Sequence, residues 1–510
     1  MFAQAHSAAI QGVDAYEVDI EVRTAGKGEF KFVIVGLPDT SVRESQDRVL
    51  NALMSSSLQA PLVGRTTVNL APASIRKEGP AFDLPIAVGV AAACSGRGIP
   101  RLERCYLAGE LGLTGEVRPI RGALAMAIEA RRQGKKAIVL PTENAAEAAI
   151  VEGIKTFGVR SLRDAFEFLC EERLLEPTPS PKSEWQKPVS EEVGDFAEVK
   201  GQETVKRAIE VAVAGGHNLM LIGPPGSGKS MLAKRIATIM PTMSLDEAID
   251  ATKIHSVCGT LGGEPFVRHR PFRSPHHTIS DVGLLGGSTN PTPGEVSLAH
   301  HGVLFLDELP EFKRSTLEVM RQPLEDGSVT ISRAAGTMKF PATFMLVAAM
   351  NPCACGYYGD PKRECRCTPN QVEKYRGRIS GPLLDRIDIH VDAPAVEFKH
   401  LSDRSLSESS EAIRERVERA RAIQAARNSG KIPLNARLSH RALREHCELD
   451  SHSLELLRMA MEQLNLSARA YDRILKVSRT IADLAAAEKI DSSHLMEAIQ
   501  YRSLDRALWT

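Results

Sequence analysis

Hydrophobic positions along the chain fall into three regimes. In residues 1–175, strand-like runs (KFVIVGL, TTVNLAP, KAIVLP) alternate with Ala-rich stretches of helical character (ALAMAIEARRQG, ENAAEAAIVEG), a pattern that predicts a mixed α/β domain. In residues 195–398 the apolar runs are short and unbroken (HNLMLIG, GVLFLDE, ATFMLVAAMNP), with helical patterns between them. A strand that is apolar on both faces is one buried in a parallel sheet, so this is a second α/β domain. From about Leu401 strand signals stop. ESSEAIRERVERARAIQAARN and the stretch Ser453–Arg502 are rich in Glu, Arg and Ala with helical periodicity, which predicts a helical domain over 399–510. Between the first two domains, EPTPSPKSEWQKPVSEEVGDF carries four prolines from Pro177 to Pro188, which deny both helix and strand. Residues 176–194 therefore read as an extended linker.

Composition narrows the function classes. Hydrophobic residues make up 43% and charged residues 25% of the 510, values of a folded globular protein rather than a disordered or fibrous one. Lys+Arg and Asp+Glu balance at 64 each, so any nucleic-acid contact is local rather than a global field. The longest apolar run, Ala87–Cys94, is too short to span a bilayer, and MFAQAHSAAIQGVDAYEVDI has no signal-peptide pattern. A cytoplasmic protein without membrane contact is the expectation, and its nine cysteines are then reduced thiols or metal ligands.

The strongest chemical signal is Gly223-Pro224-Pro225-Gly226-Ser227-Gly228-Lys229-Ser230, a full G-x-x-x-x-G-K-[ST] loop between a strand candidate and a helix candidate. Its glycines let successive N–H groups face a phosphate, and the helix N-terminus adds its positive end. Lys229 supplies a cation for the β- and γ-phosphates, while the Ser230 hydroxyl suits Mg²⁺. The run Leu304-Phe305-Leu306-Asp307-Glu308 ends a strand on two carboxylates, Asp307 for the Mg²⁺ and Glu308 to polarise an attacking water. Together they predict ATP hydrolysis.

With these two elements placed, RPFRSPHHTISDVGLLGG, PTPGEVSLAHHGVLFLDELPEF, LVAAMNPCACGYYGD, GPLLDRIDIHV and SARAYDRILKVSRTIADL resemble the magnesium-chelatase-like branch of the AAA+ ATPases, most closely the ComM/YifB family of competence-associated proteins. The resemblance implies a Lon-protease-like N-terminal domain, a P-loop ATPase core and a helical lid. It further implies that Asn351 is sensor 1, Arg386 an arginine finger acting on a neighbouring subunit, and Arg469 sensor 2, with Arg473 one turn further on as the runner-up. Gly201-Gln202 would line the adenine pocket. Arginine supplied in trans implies a homo-oligomeric ring, six-membered by family likeness, and the family's task is DNA translocation, as a helicase or branch-migration motor in transformation or recombination. A chelatase-type protein remodeller and a nucleotide-switched assembly scaffold are the alternatives.

Three further segments carry expectations. SVTISRAAGTMKFPATFML predicts a β-hairpin with Arg333 near its tip, resembling the pre-sensor-1 hairpin that touches DNA phosphates in replicative helicases. The run GGEPFVRHRPFR is a second basic loop that could face the pore. Cys353, Cys355, Cys365 and Cys367 form C-x-C…C-x-C, which suits either a structural Zn²⁺ or free thiols. In the Lon-like segment, the positions of nucleophile and base hold Ala81 and Leu124, neither of which can do that chemistry, so proteolysis is excluded.

Overall fold

The computed structural model describes residues 1–181, 194–287, 291–333, 336–396, 407–427, 434–464 and 466–504. Most of the expected linker 176–194 and the expected boundary at 398/399 lie outside the described residues. The chain forms two compact units, one of Met1–Lys187 with Ala248–Arg268, the other of Pro188–Glu247 with His269–Thr510.

The first unit is built on a seven-stranded sheet, in the spatial order Lys31–Val35, Arg65–Ala71, Asp14–Thr24, Phe2–Gln11, Cys105–Leu107, Ala137–Pro141, Lys155–Val159. Phe2–Gln11 and Asp14–Thr24 form an antiparallel hairpin from Phe2 opposite Arg23 to Gln11 opposite Asp14. Gly12, at φ 67°, opens its two-residue turn, a conformation that glycine adopts without steric cost. Helix Asp83–Ser95 is buried from Asp83 through Ala93. The longest apolar run of the sequence is thus a core helix, apolar all round because neighbours cover it all round. No helix among the described residues is long and apolar enough to cross a membrane.

Ala81 and Leu124 both serve as structure. The Ala81 carbonyl accepts from the Gly109 N–H at 2.9 Å, and the Leu124 N–H donates to Glu147 Oε1 at 2.9 Å. Residues 248–268, an excursion from the ATPase sequence, complete this unit. Ser256 donates to the same Glu147, Lys253 pairs with Asp14 at 2.5 Å, and Ile249 packs on the cluster holding Tyr106 and Leu124. Burial holds the Glu147 carboxyl above its ordinary range.

The second unit carries a five-stranded sheet in the order Phe272–Arg273, Val303–Leu306, Met345–Met350, Leu219–Ile222, Ile389–Asp392, parallel throughout. The runs LMLI, VLFL and MLVAAM are buried at every position, as their unbroken apolarity predicts. Helix Ser410–Arg427 packs on Glu203–Gly215 and Lys229–Ile239, and Ala468–Leu484 packs on Glu203–Gly215 as well. Leu221, Phe305, Val347, Ile236, Val417, Ile474 and Ile481 therefore share one core, and the C-terminal helices belong to the sheet's own compact unit.

Candidate nucleotide-binding and hydrolysis site

Leu219–Ile222 is an inner strand, with Leu219 opposite both Val347 and Ile389. The phosphate loop leaves its C-terminal end, the edge where open parallel sheets hold ligands. Gly226 and Gly228 take φ of 77° and 85°, and a Cβ on Gly223 would lie 2.1 Å from the Ala393 carbonyl oxygen, so the loop is possible only with glycine there. Lys229 opens helix Lys229–Ile239 with Nζ donating to the carbonyls of Gly223 and Pro224 at 2.8 and 2.9 Å. The same Nζ reaches Asn351 Oδ1 at 3.2 Å, which joins the strand end after Met350 to the loop. Burial pushes the Lys229 ammonium below its ordinary range while Asp307 and Glu308 pull the other way.

Ser230 Oγ donates to Asp307 Oδ2 at 2.5 Å, which places a hydroxyl and a carboxylate, both hard oxygen donors of the kind Mg²⁺ takes, side by side. Glu308 follows in a left-handed conformation, φ 51°, with an exposed carboxylate that His277 Nδ1 approaches to 3.6 Å. Non-glycine residues adopt that backbone at a cost, and such strain gathers at functional positions. His277 also stacks on His276, 4.1 Å between rings, and His276 bonds Thr278 at 2.9 Å. The proximity of His277 to Glu308 escapes sequence reading, since nothing in an adjacent histidine pair names its partner. Gln202 takes φ 60° and its Nε2 donates to the Ser227 and Pro394 carbonyls at 2.7 and 2.8 Å. Gln202 Oε1 and Ser227 Oγ are buried without a partner, acceptor and donor capacity waiting at the loop.

Arg386 and Arg469 are elsewhere. Both line a cavity of about 240 Å³ with Arg437, Arg473 and Lys476, against the carboxylates of Glu325, Asp385, Asp388 and Asp472. Gly216 and Asn218, which precede Leu219–Ile222, line it too, so it sits at the N-terminal end of the strand whose other end bears the phosphate loop. Four residues at ~3.3 Å each separate those ends by roughly 13 Å. Arg386 is buried, donates to Glu325 and to the Pro382 carbonyl, and leaves Nε without a partner. Arg469 is exposed, 3.6 Å from Asp385. Arg473 is tied to Asp388, a buried carboxyl that also accepts from the Asn218 N–H at 3.0 Å. Burial alone would raise Asp388, but Arg473 and His217 hold it far below the usual carboxylate range.

The hairpin forms as Ser328–Arg333 with Gly336–Pro341, Arg333 opposite Gly336, and its turn 334–335 lies outside the described residues. Arg333 is exposed. The other basic run differs from expectation. Arg268 pairs with Glu264, Arg270 with Glu247 and Arg273 with Glu295, at 2.9, 2.9 and 2.6 Å, so its charge is spent inside the fold. The Sγ atoms of Cys353, Cys355 and Cys365 stand 3.4 to 3.7 Å apart, and all four thiols lie within 4.8 Å of one another. A tetrahedral zinc with Zn–S near 2.3 Å needs S–S separations of about 3.8 Å, so this donor set fits one. The Tyr357 N–H lowers the Cys355 thiol to about 6. The thiol loop also touches the phosphate loop, since a Cβ on Gly356 would lie 2.4 Å from Pro225 Cδ.

Comparison with known proteins agrees with this layout. Residues 195–401 match the family described as "Magnesium chelatase, subunit ChlI", residues 407–502 its C-terminal part, and residues 20–144 "Subunit ChlI of Mg-chelatase". The chain is 42% identical to "Competence protein ComM" of Haemophilus influenzae, over 99% of this chain and 98% of that protein. It is also 42% identical to "Uncharacterized protein YifB" of Salmonella typhimurium, over 99% and 97%. The chain belongs to the ComM/YifB family. Its sheet and C-terminal helices accord with the magnesium-chelatase-like AAA+ fold, and nucleotide with Mg²⁺ is what that family implies. A fainter likeness, 23% identity over 41% of this chain and 22% of the other, links this family member to "DNA replication licensing factor Mcm2" of Drosophila melanogaster.

Proposed function

We propose that this chain hydrolyses ATP only where two copies meet, and that the assembled ring spends that hydrolysis on moving along DNA, as a helicase or branch-migration motor in transformation or recombination. One observation carries the first half: the phosphate loop and the arginine-lined cavity sit at opposite ends of one strand, so neither can complete the other within a chain. Repeating that head-to-tail contact around an axis closes a ring.

In this reading the N–H groups of Gly226 to Ser230 hold the phosphates, Lys229 turns from the loop carbonyls to the γ-phosphate, and Gly201 and Gln202 border the base. Ser230 and Asp307 would hold Mg²⁺, which when bound neutralises phosphate charge. Glu308 polarises the attacking water, with His277 fixing its carboxylate until nucleotide arrives, and Asn351 orients that water. Arg386 leaves Glu325 to meet the charge that develops on the neighbour's phosphoryl group, and Arg469 contacts the same triphosphate. Cys353, Cys355, Cys365 and Cys367 would hold a structural zinc that braces Asn351 and the phosphate loop together. All four donors are thiols, which leaves no open position for chemistry.

DNA as the track is supported by the exposed Arg333 at the hairpin end, by the competence role in one relative's name and by the replication role in another's. A fixed cation that follows a phosphate backbone requires no sequence preference. The family description favours a second reading, a chelatase-type remodeller driving a partner protein, and a nucleotide-switched scaffold is the third. ATP turnover separates them: stimulation by DNA supports the motor, dependence on a porphyrin-bearing partner the remodeller, and no turnover the scaffold. Strand displacement and branch migration with wild type and Glu308→Gln test the motor directly. Loss of about 10²–10⁴ in the variant is expected for a missing general base, and equal activity in both would refute it.

A further inference from the structure

A second cavity, of about 250 Å³, opens in the ATPase unit beside Gly302 and Phe344, which precede Val303–Leu306 and Met345–Met350. Met240, Pro241, Phe344 and Leu434 give it an apolar wall, and Arg270, Arg421 and Arg437 a cationic one. Arg270 is fully engaged, by Glu247 at 2.9 Å and by the carbonyls of Pro241 and His301 at 2.6 and 2.7 Å.

Arg421 is not. Its Nε and Nη2 share a single acceptor, the Val213 carbonyl, at 3.3 and 2.6 Å, and no carboxylate pairs with it among the described residues. Arg437 has only long contacts, 3.5 and 3.4 Å, to the Leu324 and Glu325 carbonyls. Burial pushes Arg421 down to about 9, with Arg270 adding to this and Glu247 opposing it, and burial lowers Arg437 against the pull of Asp388. Two guanidiniums thus exceed the one carboxylate, Glu247, that lines the cavity. Arg421 and Arg437 are half-buried and so lose part of their hydration without an ion-pair partner among the described residues, and a planar guanidinium is shaped to grip phosphate or carboxylate oxygens in pairs.

We infer that this cavity binds a small organic anion, a phosphate or carboxylate on an apolar body, with the anion between Arg421 and Arg437 and the body against Phe344 and Leu434. A cavity of roughly 150 Å³ accepts a benzene ring, so this one has room for a ring and its anionic group. Arg437 and Gly216 also line the cavity that holds Arg386 and Arg469. An occupant that draws Arg437 inward therefore alters the charge offered to the neighbour's nucleotide, a consequence that rests on the two-copy reading above.

Calorimetric titration of the full chain, saturated with ADP so that the phosphate loop is filled, tests the site without turnover. Phenyl phosphate and benzoate distinguish the two anion chemistries, and orthophosphate measures the share of the apolar wall. Saturable one-site binding of phenyl phosphate or benzoate is expected, tighter than orthophosphate, and weakened about tenfold or more by Arg421→Met through the lost charged hydrogen bonds. Arg437→Met should weaken it likewise, which covers the case in which the first variant does not fold. No saturable binding, or binding indifferent to both variants, overturns the inference. Because nothing here depends on hydrolysis, that result would leave the two-copy reading untouched.

Discussion

The two ends of the strand Leu219–Ile222 make an instructive pair. At its C-terminal end the chain arranges a phosphate loop, a lysine, a hydroxyl and two acids, the parts that grip a triphosphate and activate water. At its N-terminal end it gathers four arginines and a lysine against four carboxylates, the parts that neutralise charge. Under the proposed function, each end is half of a hydrolytic site. Arg386 is lodged on Glu325 with one N–H unsatisfied, a buried donor that a phosphate oxygen would satisfy. On that proposal a single chain lacks half of what hydrolysis needs, and a neighbour would supply it.

The sharpest way to break this comparison is to remove the cation from the second end only. Arg386→Ala should lower turnover by about 10³ or more, the contribution of an arginine supplied in trans, while equilibrium ATP binding stays near wild type. Substantial hydrolysis by that variant would mean the second end takes no part.

Within the second end, Arg469 and Arg473 should separate. Arg469 is exposed and loosely held, so Arg469→Ala should reduce turnover with an unchanged melting temperature. Arg473 neutralises buried Asp388, so Arg473→Ala should cost about 3 kcal/mol of stability, read by denaturant titration. Asp388 is held below its unfolded pKa of about 3.9, so its contribution is complete above that pH and fades as the pH falls toward the folded value. Arg473→Ala should lose that part of the acid dependence.

The smallest effect concerns the thiol loop at the first end. Protein purified without chelator should carry one zinc per chain by elemental analysis. Cys355→Ser should lose the metal, lower the melting temperature by a few degrees and weaken ATP binding modestly, because Gly356 rests on Pro225. Metal-free wild type with undiminished stability would favour free thiols.

Elements that are local in the chain are legible from the order of residues alone. Unbroken apolar runs identify the buried parallel strands, and the phosphate loop with Asp307 and Glu308 follows from spacing. The hairpin predicted within SVTISRAAGTMKFPATFML forms, with Arg333 opposite Gly336. What depends on distant pairing is not legible in that way. Arg268, Arg270 and Arg273 read as one basic loop, yet each meets a carboxylate that the sequence does not mark as its partner. Nothing in the sequence of residues 248–268 says that Ser256 would join Glu147 in the first compact unit. Periodicity shows that a face is buried but does not name what buries it.

The most direct test mixes two inactive proteins. Lys229→Ala lacks the phosphate grip but keeps the arginine end, and Arg386→Ala lacks the arginine but keeps the phosphate grip. In mixed rings roughly a quarter of the interfaces join an intact loop to an intact arginine. ATP turnover should therefore reappear on mixing and follow the product of the two mole fractions. Two variants that stay silent together, or Arg386→Ala that turns over nucleotide alone, would contradict a site shared between copies.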